Sequence, residues 1–186
     1  MECSSCPPGK YCEGMGNSHP TGDCIPGYYC SGGAMVPTQY EVQPGYFSNS
    51  AASNQTACYP GTYSMEHLQS ACLECEAGYY CPVSGLSTYS NYICDAGHYC
   101  PPNTINPLRC PSGKFSPTTG NVDLSNCTPC TTGYYCEMDG LQRVTGPCDA
   151  GYYCTIGARS KVQASKTSEG GPCPAGNYCM EGSGKL

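Results

Sequence analysis

Cys75-Glu76-Ala77-Gly78-Tyr79-Tyr80-Cys81 states the pattern on which the fold turns. The same arrangement, Cys-x-x-Gly-x-Tyr-Cys, recurs at 6–12, 24–30, 94–100, 130–136, 148–154 and 173–179. Three degenerate copies complete the set: Val42-Gln-Pro-Gly-Tyr-Phe-Ser48, Cys58-Tyr-Pro-Gly-Thr-Tyr-Ser64 and Cys110-Pro-Ser-Gly-Lys-Phe-Ser116. The ten central glycines follow one another at intervals of 16 to 20 residues, with one last interval of 25. A period this regular is the mark of a repeat architecture, in which units touch their neighbours and gather around no single centre. The wide last interval points to an inserted surface loop around Lys161 to Gly171.

Each motif position has a chemical reading. The glycine is present in every copy and follows Pro, Ala, Ser or Thr. Pro-Gly at the centre of a turn signals type II, whose second central residue needs positive φ. Two residues after the glycine stands an aromatic in all ten copies, and both phenylalanines of the chain, Phe47 and Phe115, fall there. A position that exchanges Tyr for Phe uses the ring, so these rings are expected to pack on the bridge or glycine of a neighbouring unit. The residue between glycine and aromatic varies among Lys, Tyr, Thr, His and Asn and is expected to face water.

Composition leads to the same class. Leu, Ile, Val and Phe together make 19 of 186 residues, and there is no Trp, against 19 Cys, 24 Gly and 17 Pro. So few aliphatic groups cannot build an ordinary core, and cysteine at this density marks a disulfide scaffold made in an oxidising compartment. No helical or strand period is sustained. The expected fold is a set of small disulfide-rich repeats, mostly turns and short β-hairpins of two to four residues with little or no helix, in an elongated rod of about ten units of about 18 residues. The net charge of −6, with no basic cluster, argues against nucleic acid as a partner. No run approaches the ~18 apolar residues that span a bilayer, so membrane insertion by this segment is not expected. Met1-Glu2-Cys3 lacks the basic start and apolar run of an export signal, and the expectation is a fragment of a longer secreted protein.

The degenerate copies bear on pairing. The copies at Cys58 and Cys110 have serine at the second position, and they alone are followed by an additional cysteine, Cys72 and Cys127. The copy at Val42 has lost both cysteines and gains none. Counting favours joining each first cysteine to its own second cysteine or, where that is absent, to the loop cysteine. This gives Cys6–Cys12, Cys24–Cys30, Cys58–Cys72, Cys75–Cys81, Cys94–Cys100, Cys110–Cys127, Cys130–Cys136, Cys148–Cys154 and Cys173–Cys179, with Cys3 left for an upstream partner. A rival scheme links the second cysteine of one copy to the first of the next, as in Cys12–Cys24, and strands more cysteines. Geometry keeps the choice open. In a regular hairpin closed by a two-residue Pro-Gly turn the two cysteines point to opposite faces, and a direct bridge needs a wider turn to bring the Cα atoms within ~7 Å.

The run from Cys58 through Cys72-Leu-Glu-Cys75 to Cys81, echoed from Cys110 through Cys127-Thr-Pro-Cys130 to Cys136, resembles the cysteine-rich ephrin-receptor-like repeats, distant relatives of tumour-necrosis-factor-receptor modules. The resemblance covers nearly the whole chain and implies Cys58–Cys72 and Cys110–Cys127 in particular. It also implies membership of a large extracellular surface or matrix protein. The copy at Val42 departs from the family pattern, and a looser joint is expected there.

Other candidate chemistry is sparse. The pairs Cys3/Cys6, Cys72/Cys75 and Cys127/Cys130 have zinc-like spacing, but they lie ~50 residues or more apart inside a regular array, and disulfides are the better reading. His19, His67 and His98 share no motif position and are expected in solvated loops; no catalytic residue, metal or cofactor is expected. Asn54-Gln-Thr56 and Asn126-Cys-Thr128 are N-glycosylation sequons. The Ser/Thr-rich stretches 116–119 and 165–168 could carry O-glycans. The functional expectation is a structural component of an extracellular filament, cell coat or flagellar appendage, partnered by itself or by neighbouring repeats and by covalent glycans. The alternative is a receptor stalk or ligand-binding ectodomain, with exposed aromatics around Tyr89 and Tyr92.

Overall fold

The computed structural model describes residues 3–184; Met1 and Glu2, part of the stretch read for an export signal, lie outside the described residues. The chain divides into two compact bodies. The first holds the residues up to Glu76 with Cys81–Tyr92 and Asn103–Ile105, and the second holds Ala77–Tyr80, Ile93–Pro102 and everything from Asn106.

Both bodies are built from two-stranded antiparallel ribbons. In the first, β1 (Lys10–Tyr11) pairs with β2 (Gly22–Asp23), β3 (Tyr28–Tyr29) with β4 (Tyr40–Glu41), β5 (Tyr46–Phe47) with β6 (Thr56–Ala57), and β7 (Thr62–Tyr63) with β8 (Leu73–Glu74). In the second, β9 (His98–Tyr99) pairs with β10 (Leu108–Arg109) and β11 (Lys114–Phe115) with β12 (Thr128–Pro129). There too β13 (Tyr134–Tyr135) pairs with β14 (Gly146–Pro147), and β15 (Tyr152–Cys154) with β16 (Gly170–Pro172). A single bridge, Tyr79 to Ile93, occupies the corresponding place between β8 and β9. The helical content among the described residues is one 3₁₀ turn, Leu124–Asn126. Short hairpins with nine disulfides are therefore the architecture, as the composition requires.

The ribbons do not close over the Pro-Gly turn. Each joins the end of one motif copy to the two residues (three in the last ribbon) that precede the next copy. The turn stands at the head of the copy instead. There the amide after the glycine donates back across three residues, as from Lys10 N to Pro7 O (3.2 Å) and from Tyr134 N to Thr131 O (3.0 Å). The ten motif glycines have φ between +81° and +88°, the value required at the second centre of a type II turn. A six-residue bridge around such a turn is not spanning a hairpin, and its Cα atoms lie 5.8 to 6.2 Å apart, inside the ordinary disulfide range. That removes the geometric obstacle raised by the regular-hairpin picture.

Backbone hydrogen bonds tie successive copies by a fixed set of four. Between the first two copies, Gly9 N donates to Cys30 O (2.8 Å) and Cys24 N to Gly9 O (3.0 Å). Cys12 N donates to Ala34 O (2.9 Å) and Gly33 N to Cys6 O (2.7 Å). Equivalent bonds recur through the first body, as in Val42 N to Gly27 O, Gly45 N to Ser64 O, Ser48 N to Gln69 O and Leu68 N to Val42 O. The second body repeats them, as in Gly97 N to Ser116 O, Cys110 N to Gly97 O, Ser116 N to Leu141 O and Gly140 N to Cys110 O. A backbone group paired in this way escapes the cost of burial without a partner, and each bond contributes about 1 kcal/mol net.

Candidate functional site

The chemistry-bearing residues of this chain are its bridged turns and the loops between them. All eighteen motif and loop cysteines are joined, in the nine pairs that counting favours, while Cys3 is free and exposed. The longer bridges, Cys58–Cys72 and Cys110–Cys127, have Cα separations of 5.8 and 5.6 Å. Sulfur supplies much of the interior: fourteen of these eighteen side chains fall in the buried class, most of them with no exposure at all. The pairs Cys72/Cys75 and Cys127/Cys130 are each split between two bridges and have no thiolate to offer a metal, while Cys6 of the remaining pair is bridged to Cys12. Among the described residues no group of three or more His, Cys, Asp or Glu is placed to hold one.

Nine of the ten motif aromatics are buried or half-buried and complete the small cores; Tyr178, in the last copy, does not pack as expected and is 85 % exposed. Tyr11 packs on the next copy's bridge, Cys24–Cys30, with Ala34; Tyr135 does the same on Cys148–Cys154 with Ala158. Across the ribbons each motif aromatic faces the residue two before the next copy, and Tyr11, Tyr135 and Tyr153 face glycines, Gly22, Gly146 and Gly171. There the missing Cβ leaves room for the ring, whose edge lies 3.0 to 3.4 Å from where a Cβ would stand. The residue before the aromatic is half-buried in seven of the ten copies, not fully in water; Lys10, Tyr134 and Asn177 are exposed, and Lys10 forms an ion pair with its cross-strand partner Asp23.

The serines that replace second cysteines are interior residues. Ser48, Ser64 and Ser116 are at most 1 % exposed. Their hydroxyls meet Tyr28 O (2.9 Å), Glu66 O (3.3 Å) and Thr118 Oγ1 (3.3 Å). Val42, in place of a first cysteine, is fully buried, and all four hydrogen bonds on either side of its copy are kept. The looser joint expected there is not found. Four backbone bonds at about 1 kcal/mol each outweigh one small ring at about 2 kcal/mol, so the copy holds without its bridge.

A second recurrent feature escaped the motif reading. Three or four residues beyond the second cysteine position of each copy from the second onward stands a left-handed residue, for example Gly140 (φ +78°), and its amide donates to the carbonyl of the first position of the preceding copy, a cysteine or Val42. Six of the nine are glycine, which is the signal the sequence offered; the other three are Ala51, Leu68 and Asn103, with φ of +59° to +63°. This residue also lies against the motif glycine two copies back. A Cβ built on Gly97 would collide with the carbonyl of Gly140, and one on Gly133 with that of Gly182.

The loop residues vary in accessibility. Asn54 is exposed just before β6, and its side-chain oxygen accepts from Gln55 N (2.9 Å). Asn126 is exposed but ends the 3₁₀ turn in a capping box: its Oδ1 accepts from Val122 N (2.9 Å) and Asp123 N (3.2 Å). The reciprocal partner, Asp123, accepts from the Ser125 hydroxyl and amide, which hold its carboxyl below the ordinary aspartate range. The middle residue of that sequon, Cys127, is bridged and 1 % exposed. Ser116 is fully buried and so withdrawn from O-glycosylation. His19 and His67 are exposed, whereas His98 lies half-buried in β9. Gln163, in the long last interval, is buried, with Nε2 donating to Ser160 O (2.9 Å).

Tyr89 is not an exposed aromatic. Its ring meets Tyr63 edge-on at 4.7 Å, and Tyr63 is only 3 % exposed. Burial first, then the Glu76 carboxylate, pushes the Tyr63 phenol above the ordinary range, while its hydrogen bond with Tyr89 pulls the other way.

Fold and bridges together define a disulfide-stapled protein of tandem short hairpins. No protein-family model and no curated protein matches the chain. Among the described residues no helix is long and apolar enough to cross a membrane.

Proposed function

We propose that the chain is a structural segment of an extracellular filament, cell coat or flagellar appendage: a rod of neighbouring repeats, cross-linked by sulfur, not an enzyme, and glycosylated at Asn54 and Asn126. One observation carries the reading. The four-bond set between copies uses backbone groups alone and survives every change of side chain, of loop length and even of disulfide content. Such a spine transmits mechanical continuity and leaves the loops free to vary, which suits a scaffold. Nine bridges suit an oxidising, extracellular setting.

The receptor reading asks for an exposed aromatic patch around Tyr89 and Tyr92, and the packing of Tyr89 on Tyr63 weighs against it. Electron microscopy of the secreted protein in its native setting separates the two. Regular polymers or extended rods support a scaffold; compact, isolated particles that capture a soluble ligand would refute it.

A further inference from the structure

Of the eight ribbons, β3/β4 is the one whose facing pair is two tyrosines, Tyr29 opposite Tyr40. Their rings stack with centroids 5.3 Å apart and planes 29° from parallel. Tyr40 is 47 % exposed, within reach of a soluble oxidant, while Tyr29 is half-buried beneath it. The place is notable for a second reason. Tyr40 stands two residues before Val42, the head of the copy that has neither cysteine and forms no bridge.

We propose that Tyr29 and Tyr40 are a site of oxidative cross-linking, joined carbon to carbon as dityrosine by hydrogen peroxide acting through a haem peroxidase. The peroxide takes one hydrogen atom from each phenol and is reduced to two waters. The two phenoxyl radicals couple through ring carbons ortho to oxygen. The hydrogens on those carbons then shift to the oxygens, which restores two phenols. Strands already paired in register hold the two rings together, so coupling within the chain needs only reorientation about the side-chain torsions and no diffusion. The product closes a covalent ring across the ribbon that leads into the unbridged copy and restricts the unfolded chain as a disulfide does elsewhere. It stands on ring geometry and is independent of the scaffold reading.

The test uses the oxidised, full-length chain, treated in dilute solution with a haem peroxidase and hydrogen peroxide, followed by isolation of the monomer. The expected monomer shows dityrosine fluorescence, a mass lower by two hydrogens and a proteolytic peptide linking residues 29 and 40. Tyr40→Phe and Tyr29→Phe each lose that peptide, while Tyr59→Phe, at a site 66 % exposed, retains it. The cross-linked monomer also melts at higher temperature than the untreated chain. A treated monomer without the 29–40 linkage, or one coupled instead at Tyr63 and Tyr89, would overturn the proposal.

Discussion

Replacing Gly97 by alanine places a methyl group where the carbonyl of Gly140 already sits, in a turn whose φ is +81°. The conformational part costs about 1–2 kcal/mol, as for any L residue held left-handed. The collision adds about 1–3 kcal/mol, because backbone stands opposite and cannot swing aside like the end of a side chain. Gly151 separates the two contributions. Its φ is +87°, yet nothing lies within 4 Å of the position its Cβ would take. Gly151→Ala should therefore lose only the conformational part, and Gly97→Ala about 1–3 kcal/mol more. The readout is hydrogen exchange of the Cys110 amide, which donates to Gly97 O (2.9 Å), and of the Cys173 amide, which donates to Gly151 O (2.9 Å). A local loss of about 3 kcal/mol accelerates exchange roughly a hundredfold, since 1.4 kcal/mol is tenfold. Equal acceleration at the two sites would show that the left-handed turn alone demands glycine and that the carbonyl contact does not matter.

Four further outcomes follow from the same geometry. The double variant Val42→Cys/Ser48→Cys should form a tenth bridge, because other copies hold these positions 5.8 to 6.2 Å apart, and raise stability by about 2 kcal/mol; two extra free thiols on titration would contradict this. Reduction of all nine bridges removes about 20 kcal/mol of chain restriction, more than a domain's usual 5–15 kcal/mol margin, so circular dichroism and hydrodynamic radius should shift to those of a coil. In a secretory host Asn54 should carry glycan at higher occupancy than Asn126, whose sequon is tied into a capping box and a bridge, and peptide mass spectrometry checks the ratio. The unfolded chain releases the Tyr63 proton before the folded one, so that stabilising contribution is whole below the ordinary tyrosine range and is lost as pH climbs through the folded value; phenolate absorbance should show Tyr63→Phe lacking one ionisation above the ordinary tyrosine range.

The fold class was legible because its determinants are local. A glycine before a variable residue and an aromatic, repeated ten times, specifies a type II turn wherever it occurs, and the ten φ values follow. The absence of a second cysteine where Ser64 and Ser116 stand, matched by the presence of Cys72 and Cys127, likewise reports pairing through covariation within one chain. What stayed hidden is relational. No single copy reveals that its hairpin partner lies ahead of the next copy, or that Gly97 is pressed by a residue two copies on. The left-handed loop position is blurred because Ala51, Leu68 and Asn103 take it without glycine, and because it falls three residues after the cysteine in some copies and four in others. Tyr89 reads as a loose loop aromatic until its packing against Tyr63 is seen.

The last interval, seven residues longer than the one before it, still delivers Gly151 N to Cys179 O and Cys173 N to Gly151 O at 2.9 Å each. Phase is thus set by which groups meet, and the number of residues between them is free to drift. A chain ruled this way is forgiving to edit: foreign peptides grafted between the exposed Ala164 and Ser165, or crossovers between unlike copies, would leave every downstream turn in step. Genetic shuffling of such units could lengthen or re-clothe the molecule without redesigning its seams.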